Sequence, residues 1–192
     1  SNCPDIVRNS VSGNIYYVSE SGSDSNDGLS ELKPLKTLYG VSSLSLNAGD
    51  AVLFERGGVY RTSKKYTDGS SFILKSGVSY GAYGKGQKPV INGSFENYAE
   101  RKWRKYADNI WYISISNISA DPGVLRVTTA KNYSYTGCVK ESIDALAREW
   151  DFCRDGTNLY MYCQYGEPTN LLNAIEIGFG FDMFKIDNAS NI

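Results

Sequence analysis

The stretch ERKWRKYADNIWY, residues 100–112, sets Arg101, Lys102, Arg104 and Lys105 around Trp103, with Tyr106 and Trp111 close behind. Such a mixture can hold an acidic sugar chain. Guanidinium groups pair with uronate carboxylates, and aromatic faces stack on sugar rings. Arg101, Lys102, Trp103, Arg104 and Lys105 are therefore the candidate glycan-binding set. The competing reading is a solvated strand whose tryptophans belong to the core. The alternation of Trp111, Ile113 and Ile115 points Trp111 inward.

A second cluster lies in GSDSNDG, where Asp24, Asn26 and Asp27 crowd oxygens into a short turn. These are the candidate metal ligands, with Ca²⁺ as the ion, which takes about six to eight oxygens. The segment is not an EF-hand, because Gly28 comes too soon and Leu35 stands where the closing Glu is required. Asp, Asn, Ser and Gly are also what a tight turn uses to bond its own backbone, and that is the stronger reading.

Paired carboxylates could serve glycoside hydrolysis at separations of about 5–9.5 Å. Asp50 and Glu55 flank AVLF, and Asp182 and Asp187 flank MFKI. Asp50 follows Gly49 and reads as turn chemistry. The second pair falls where a groove-facing coil is expected to begin, but the same turn argument applies. No catalytic residue is assigned.

The chain has 192 residues and no histidine, which removes Ser-His-Asp, Cys-His and His-ligated metal chemistry within it. Cys3, Cys138, Cys153 and Cys163 fit no zinc spacing. A hairpin turning at Gly156-Thr157 places Phe152 with Met161 and Cys153 opposite Tyr160, so Cys153 and Cys163 read as buried thiols and not as a disulfide. A net charge of −1 argues against a nucleic-acid partner. No apolar run is long enough for a membrane span. The Asn-x-Ser matches at Asn92, Asn117, Asn132 and Asn188 are what chance provides in a chain rich in Asn and Ser.

The elements that must carry these residues are mostly short strands. After a lead-in over 1–13, NIYYVS reads as a strand. PLKTLYGVSSLSLNAGD then suggests one short helix with Leu35, Leu38 and Val41 or Ser42 on its buried face, Pro34 in its first turn and Gly49 at its stop. DAVLFERGGVYR is strand, Gly-Gly corner, strand, and SFILKSGVSYGAYGKGQKPVINGS repeats that design. Runs of a few apolar residues broken by tight corners suit a parallel β-helix better than a sandwich. From about residue 95 longer alternation takes over, and the text reads as an antiparallel β lobe. The short-strand pattern returns near residue 173.

The fold expected is all-β: the N-terminal cap and first coils of a right-handed parallel β-helix, with one short capping helix and an inserted antiparallel β lobe. The boundaries are 1–13 for the lead-in, 14–94 for the cap and first coils, 95–172 for the lobe and 173–192 for return to the coil. The coil pattern stops within a turn, which suggests an N-terminal fragment whose partner is the remainder of its own β-helix.

The strings YYVSESGSDSNDGLSELKPLKTL, LNAGDAVLFERGGVYR and SGVSYGAYGKGQKPVINGS resemble the opening of secreted bacterial right-handed parallel β-helix proteins of the pectin-lyase-like group. The likeness covers about residues 15–94. EWDFCRDGTNLYMYCQYGEP is similar to a hairpin of the same proteins. The resemblance implies an extracellular or cell-surface bacterial protein with a polysaccharide partner, either a polysaccharide lyase or a glycoside hydrolase. It carries over no catalytic residue, since in these proteins they lie on later coils. The fragment itself is expected to be inactive. The alternative is a non-catalytic adhesive β-helix protein that binds glycan or a partner.

Overall fold

A computed structural model describes residues 11–62 and 72–180, together with the backbone of 184–186. The protein is all-β, with only two short α-helices among the described residues. It divides into two compact units, residues 1–92 with 182–192, and residues 93–181.

Among the described residues of the first unit every ladder is parallel. Strands β1 (Ile15–Val18), β2 (Ala51–Glu55) and β5 (Ser79–Tyr83) form one sheet in that order. β3 (Val59–Arg61) pairs with β6 (Val90–Asn92), and β4 (Phe72–Leu74) with β14 (Phe184–Ile186). The corner between β2 and β3 is the expected Gly-Gly step, with Gly57 at φ +90°, a conformation that side chains resist. Val18, Val52, Phe54, Tyr60, Phe72 and Val78 form the core of this unit with Leu35, Leu38 and Val41. Tyr60 is buried, and its hydroxyl reaches Val18 O and Glu55 O at 3.0 and 3.1 Å.

Helix α1 (Leu38–Ser42) is shorter than the apolar spacing suggests. Pro34 and Leu35 lie outside it, and Leu35 bridges to Val18 in parallel fashion. The reason is local: the Asp24 carboxylate accepts from Lys36 N and Thr37 N, each at 2.9 Å, which fixes Thr37 as the N-cap. Gly49 belongs to a later turn, where its φ is +95°.

The second unit contains β7 (Arg104–Ala107), β8 (Ile110–Ser114), β9 (Pro122–Thr129), β10 (Ser134–Thr136), β11 (Phe152–Asp155), β12 (Asn158–Tyr162), helix α2 (Pro168–Leu171) and β13 (Leu172–Phe179). They make two antiparallel sheets, β11-β12-β8-β7 and β10-β9-β13. Alternate residues of both sheets, including Ile113, Leu159, Met161, Leu125, Val127, Ile175 and Ile177, meet in one core. Strand β13 pairs with β9, so residues 173–179, expected to rejoin the coil, belong instead to this antiparallel sheet. Their inward Ile175, Ile177 and Phe179 alternate with more exposed neighbours, the pattern of a half-buried antiparallel strand.

The hairpin register is as the sequence indicates, with Phe152 opposite Met161 and Cys153 opposite Tyr160. Cys138, Cys153 and Cys163 are free thiols, the last two buried. Cys3 lies outside the described residues.

Candidate functional site

The basic segment is pulled apart by the fold. Trp103 is 2% exposed, and its indole nitrogen donates to Tyr98 O at 3.0 Å. It is a core residue with no ring face to offer a sugar, which corrects the expectation for it. Arg101 is also committed. It grips both oxygens of Glu96, at 2.7 and 3.0 Å, and donates to Ser114 O at 2.9 Å. Lys105 sits 3.3 Å from Asp108. Lys102 and Arg104 are exposed and border a hollow of about 450 Å³ together with Tyr112 and Asn158.

The acidic turn is a structural lock. Beyond its two backbone donors, Asp24 accepts from the Thr37 hydroxyl at 2.6 Å. Asn26 donates to Pro34 O at 2.9 Å, and Asp27 accepts from Leu29 N at 3.0 Å. These oxygens satisfy the chain's own donors. Among the described residues no group of three or more His, Cys, Asp or Glu gathers to hold a metal ion.

Asp50 is buried and closes a turn by accepting from Asn14 N at 2.7 Å and Asn47 N at 2.8 Å. Glu55 takes a hydrogen bond from the Ser19 hydroxyl. Each acid has a structural partner, at opposite ends of β2. Asp182 and Asp187 lie outside the described residues.

A larger hollow, which sequence reasoning did not find, opens on the second unit. It has a volume of about 920 Å³ and is bordered by Tyr135, Trp150, Tyr165, Glu149, Gln164 and Lys131 among others. Strand β10 supplies Tyr135. Its register partner is Val127, which is fully buried, yet Tyr135 is 49% exposed. Partners across a ladder share a face, so the cover of the core stops short here and leaves an aromatic ring at the opening.

Trp150 stands at the start of the hairpin with φ +70°, a backbone state that a bulky side chain adopts only when its surroundings enforce it. Trp150 N donates to Tyr162 O at 3.0 Å, and Trp150 O occupies the space where a side chain on residue 137 would stand. The ring packs partly against the core and partly borders the hollow.

Glu149 ties down the facing loop, accepting from Gln164 N at 3.0 Å through Oε2. Its Oε1 is buried without a hydrogen bond of ordinary geometry. The Cys163 thiol faces the same carboxylate. Burial first, and then that carboxylate, push the thiol up to about 12. Burial likewise raises Cys153 to about 11. Neither thiol is a nucleophile at neutral pH.

No family model matches the chain. It is 30% identical over 187 residues to a lacto-N-biosidase of Bifidobacterium longum subsp. longum, an alignment covering 92% of this chain and 12% of that enzyme. The chain thus spans about an eighth of its curated relative's length. Among solved structures, the complex of XylC with xylose superposes at a TM-score of 0.56, with 15% identity over 90% of this chain and 34% of the other. That likeness is one of fold. A GH136 lacto-N-biosidase from Eubacterium ramulus is 34% identical over 67% of this chain and 17% of its own, at a TM-score of 0.35. Among the described residues no helix is long and apolar enough to cross a membrane.

Proposed function

We propose that this chain is a non-catalytic part of an extracellular, carbohydrate-active bacterial protein of the glycoside hydrolase type. The observation that carries the reading is the 30% identity, along almost the whole chain, to a lacto-N-biosidase. The order in which strands recur supports a parallel β-helix as its frame. β2, β3 and β4 are followed by β5, β6 and β14, and each member of the second set pairs in parallel with its counterpart in the first. Among the described residues β5 has a partner on one side only, an edge suited to a further coil.

A hydrolase needs two carboxylates facing one bond. Asp50 and Glu55 are each committed within the chain, which supports a scaffold role for this part. A lyase instead needs a cation against the uronate and a base for its neighbouring proton. Lys102 and Arg104 are the members of the basic segment still placed to meet an acidic glycan.

The test is to present the purified chain with oligosaccharides ending in lacto-N-biose, xylo-oligosaccharides and polygalacturonate, following both binding and product release. The expected result is binding without turnover. Release of sugar by this chain would overturn its non-catalytic role. Unsaturated uronate products would favour a lyase, and failure to bind any glycan would overturn the carbohydrate reading.

A further inference from the structure

We infer that the hollow bordered by Tyr135, Trp150 and Tyr165 is a binding site for a neutral saccharide, a site distinct from the basic segment. The inference rests on the carbohydrate reading and gives it a location.

The first argument is shape and lining. A volume of about 920 Å³ suits a short oligosaccharide, and sites for small ligands are concave, aromatic-lined and furnished with a few polar groups. Tyr135 and Tyr165 are 49% and 74% exposed, so their rings are accessible at the rim. A sugar presents an apolar C–H face flanked by hydroxyls. Aromatic rings take the face, while tyrosine hydroxyls, Thr129, Thr136 and Gln164 can exchange hydrogen bonds with the rim.

The second argument is charge. Lys131 and Glu149 are the charged residues at the border, one of each sign. Glu149 spends one oxygen on Gln164 N and has the other buried. The hollow has no excess cation with which to attract a uronate polymer, unlike the surface beside Lys102 and Arg104.

The third argument is preorganisation. Trp150 holds a positive φ that its side chain disfavours, with its carbonyl lodged against Gly137. Glu149 pins the loop that carries Gln164 and Tyr165. A ring fixed before the ligand arrives loses little freedom on binding.

The experiment titrates the 192-residue chain with a neutral oligosaccharide ending in lacto-N-biose, a neutral xylo-oligosaccharide and an oligogalacturonate, reading tryptophan fluorescence at low and high salt. At least one neutral probe is expected to shift the emission, without salt dependence. Tyr165→Ala and Tyr135→Ala should each weaken that binding at least tenfold while the thermal midpoint stays unchanged. Trp150→Phe should remove the fluorescence response. Lys102→Ala with Arg104→Ala should leave neutral binding intact. Binding that ignores both tyrosine variants, or that follows Lys102 and Arg104 and fades with salt, overturns the site and leaves the carbohydrate reading standing. If no glycan binds, both fall.

Discussion

The Thr37 hydroxyl joins two structures at once: it donates to Asp24 Oδ2 at 2.6 Å and accepts from Gly40 N at 3.0 Å. The acidic turn and helix α1 are therefore one hydrogen-bonded unit. Asp24→Ala removes three acceptor contacts and is expected to lower unfolding free energy by about 2 kcal/mol, measured in urea. Added Ca²⁺ should leave the melting temperature of the unaltered chain unchanged, since the turn's oxygens already serve internal donors.

Gly137 has a different constraint. A Cβ there would meet Trp150 O at 2.3 Å and lie 3.1 Å from the Phe152 ring. The first contact is with backbone that is itself hydrogen-bonded nearby, through Trp150 N. Gly137→Ala should therefore cost about 2–3 kcal/mol, and thermal unfolding will read it. Gly57→Ala meets no atom within 4 Å and carries only the penalty of its positive φ, about 1 kcal/mol.

The buried thiols set an alkaline limit. Cys153 and Cys163 rise from an ordinary value near 9 to about 11 and about 12. The native state thus holds protons that the unfolded chain releases. Their stabilisation is complete below about pH 9 and is lost progressively as pH climbs through 11 and 12. Burial raises Tyr83 to about 12 as well, adding to the same trend. Melting temperatures should fall steadily above pH 9, and a thiol reagent at pH 8 should modify Cys138 ahead of Cys153 and Cys163 in the native state.

Arg154 fastens the loop before β9, donating to Ala120 O at 2.7 Å and Ile118 O at 2.8 Å, while its Nε donates to Gly156 O in its own hairpin turn at 3.0 Å. Lysine lacks the planar fork that reaches several carbonyls. Arg154→Lys should destabilise by about 1–3 kcal/mol, with faster amide exchange expected at residues 116–121 before elsewhere.

Local chemistry made much of this legible. Alternation and the Gly156 turn fix the hairpin, and the Gly-Gly corner separates β2 from β3. Turn residues at 24–27 announce a turn. What could not be read is what depends on distant partners. Trp103 looks like a sugar platform among its charged neighbours, but it stands just before β7, and the core it joins, not a strand pattern, buries it. Arg101 looks free until Glu96 and Ser114 O arrive beside it. The aromatic hollow draws on residues from Thr129 to Leu172, and the positive φ of Trp150 leaves no mark in composition. Residues 173–179 carry the alternation of a half-buried strand, but the Gly and Asn around them point to coil.

The second unit begins and finishes at one place. Ser94 Oγ accepts from Ile177 N and Asn97 Oδ1 from Ile175 N, both at 3.0 Å, and the rings of Phe95 and Phe179 stack at 5.3 Å. Once folded, the unit presents the rest of the chain with two ends already side by side. The long detour between β6 and β14 then acts as a short splice, and the entropy of closing the β4–β14 ladder falls accordingly. The lobe is thus a closed excursion in the chain's path, stapled to itself where it starts and where it returns.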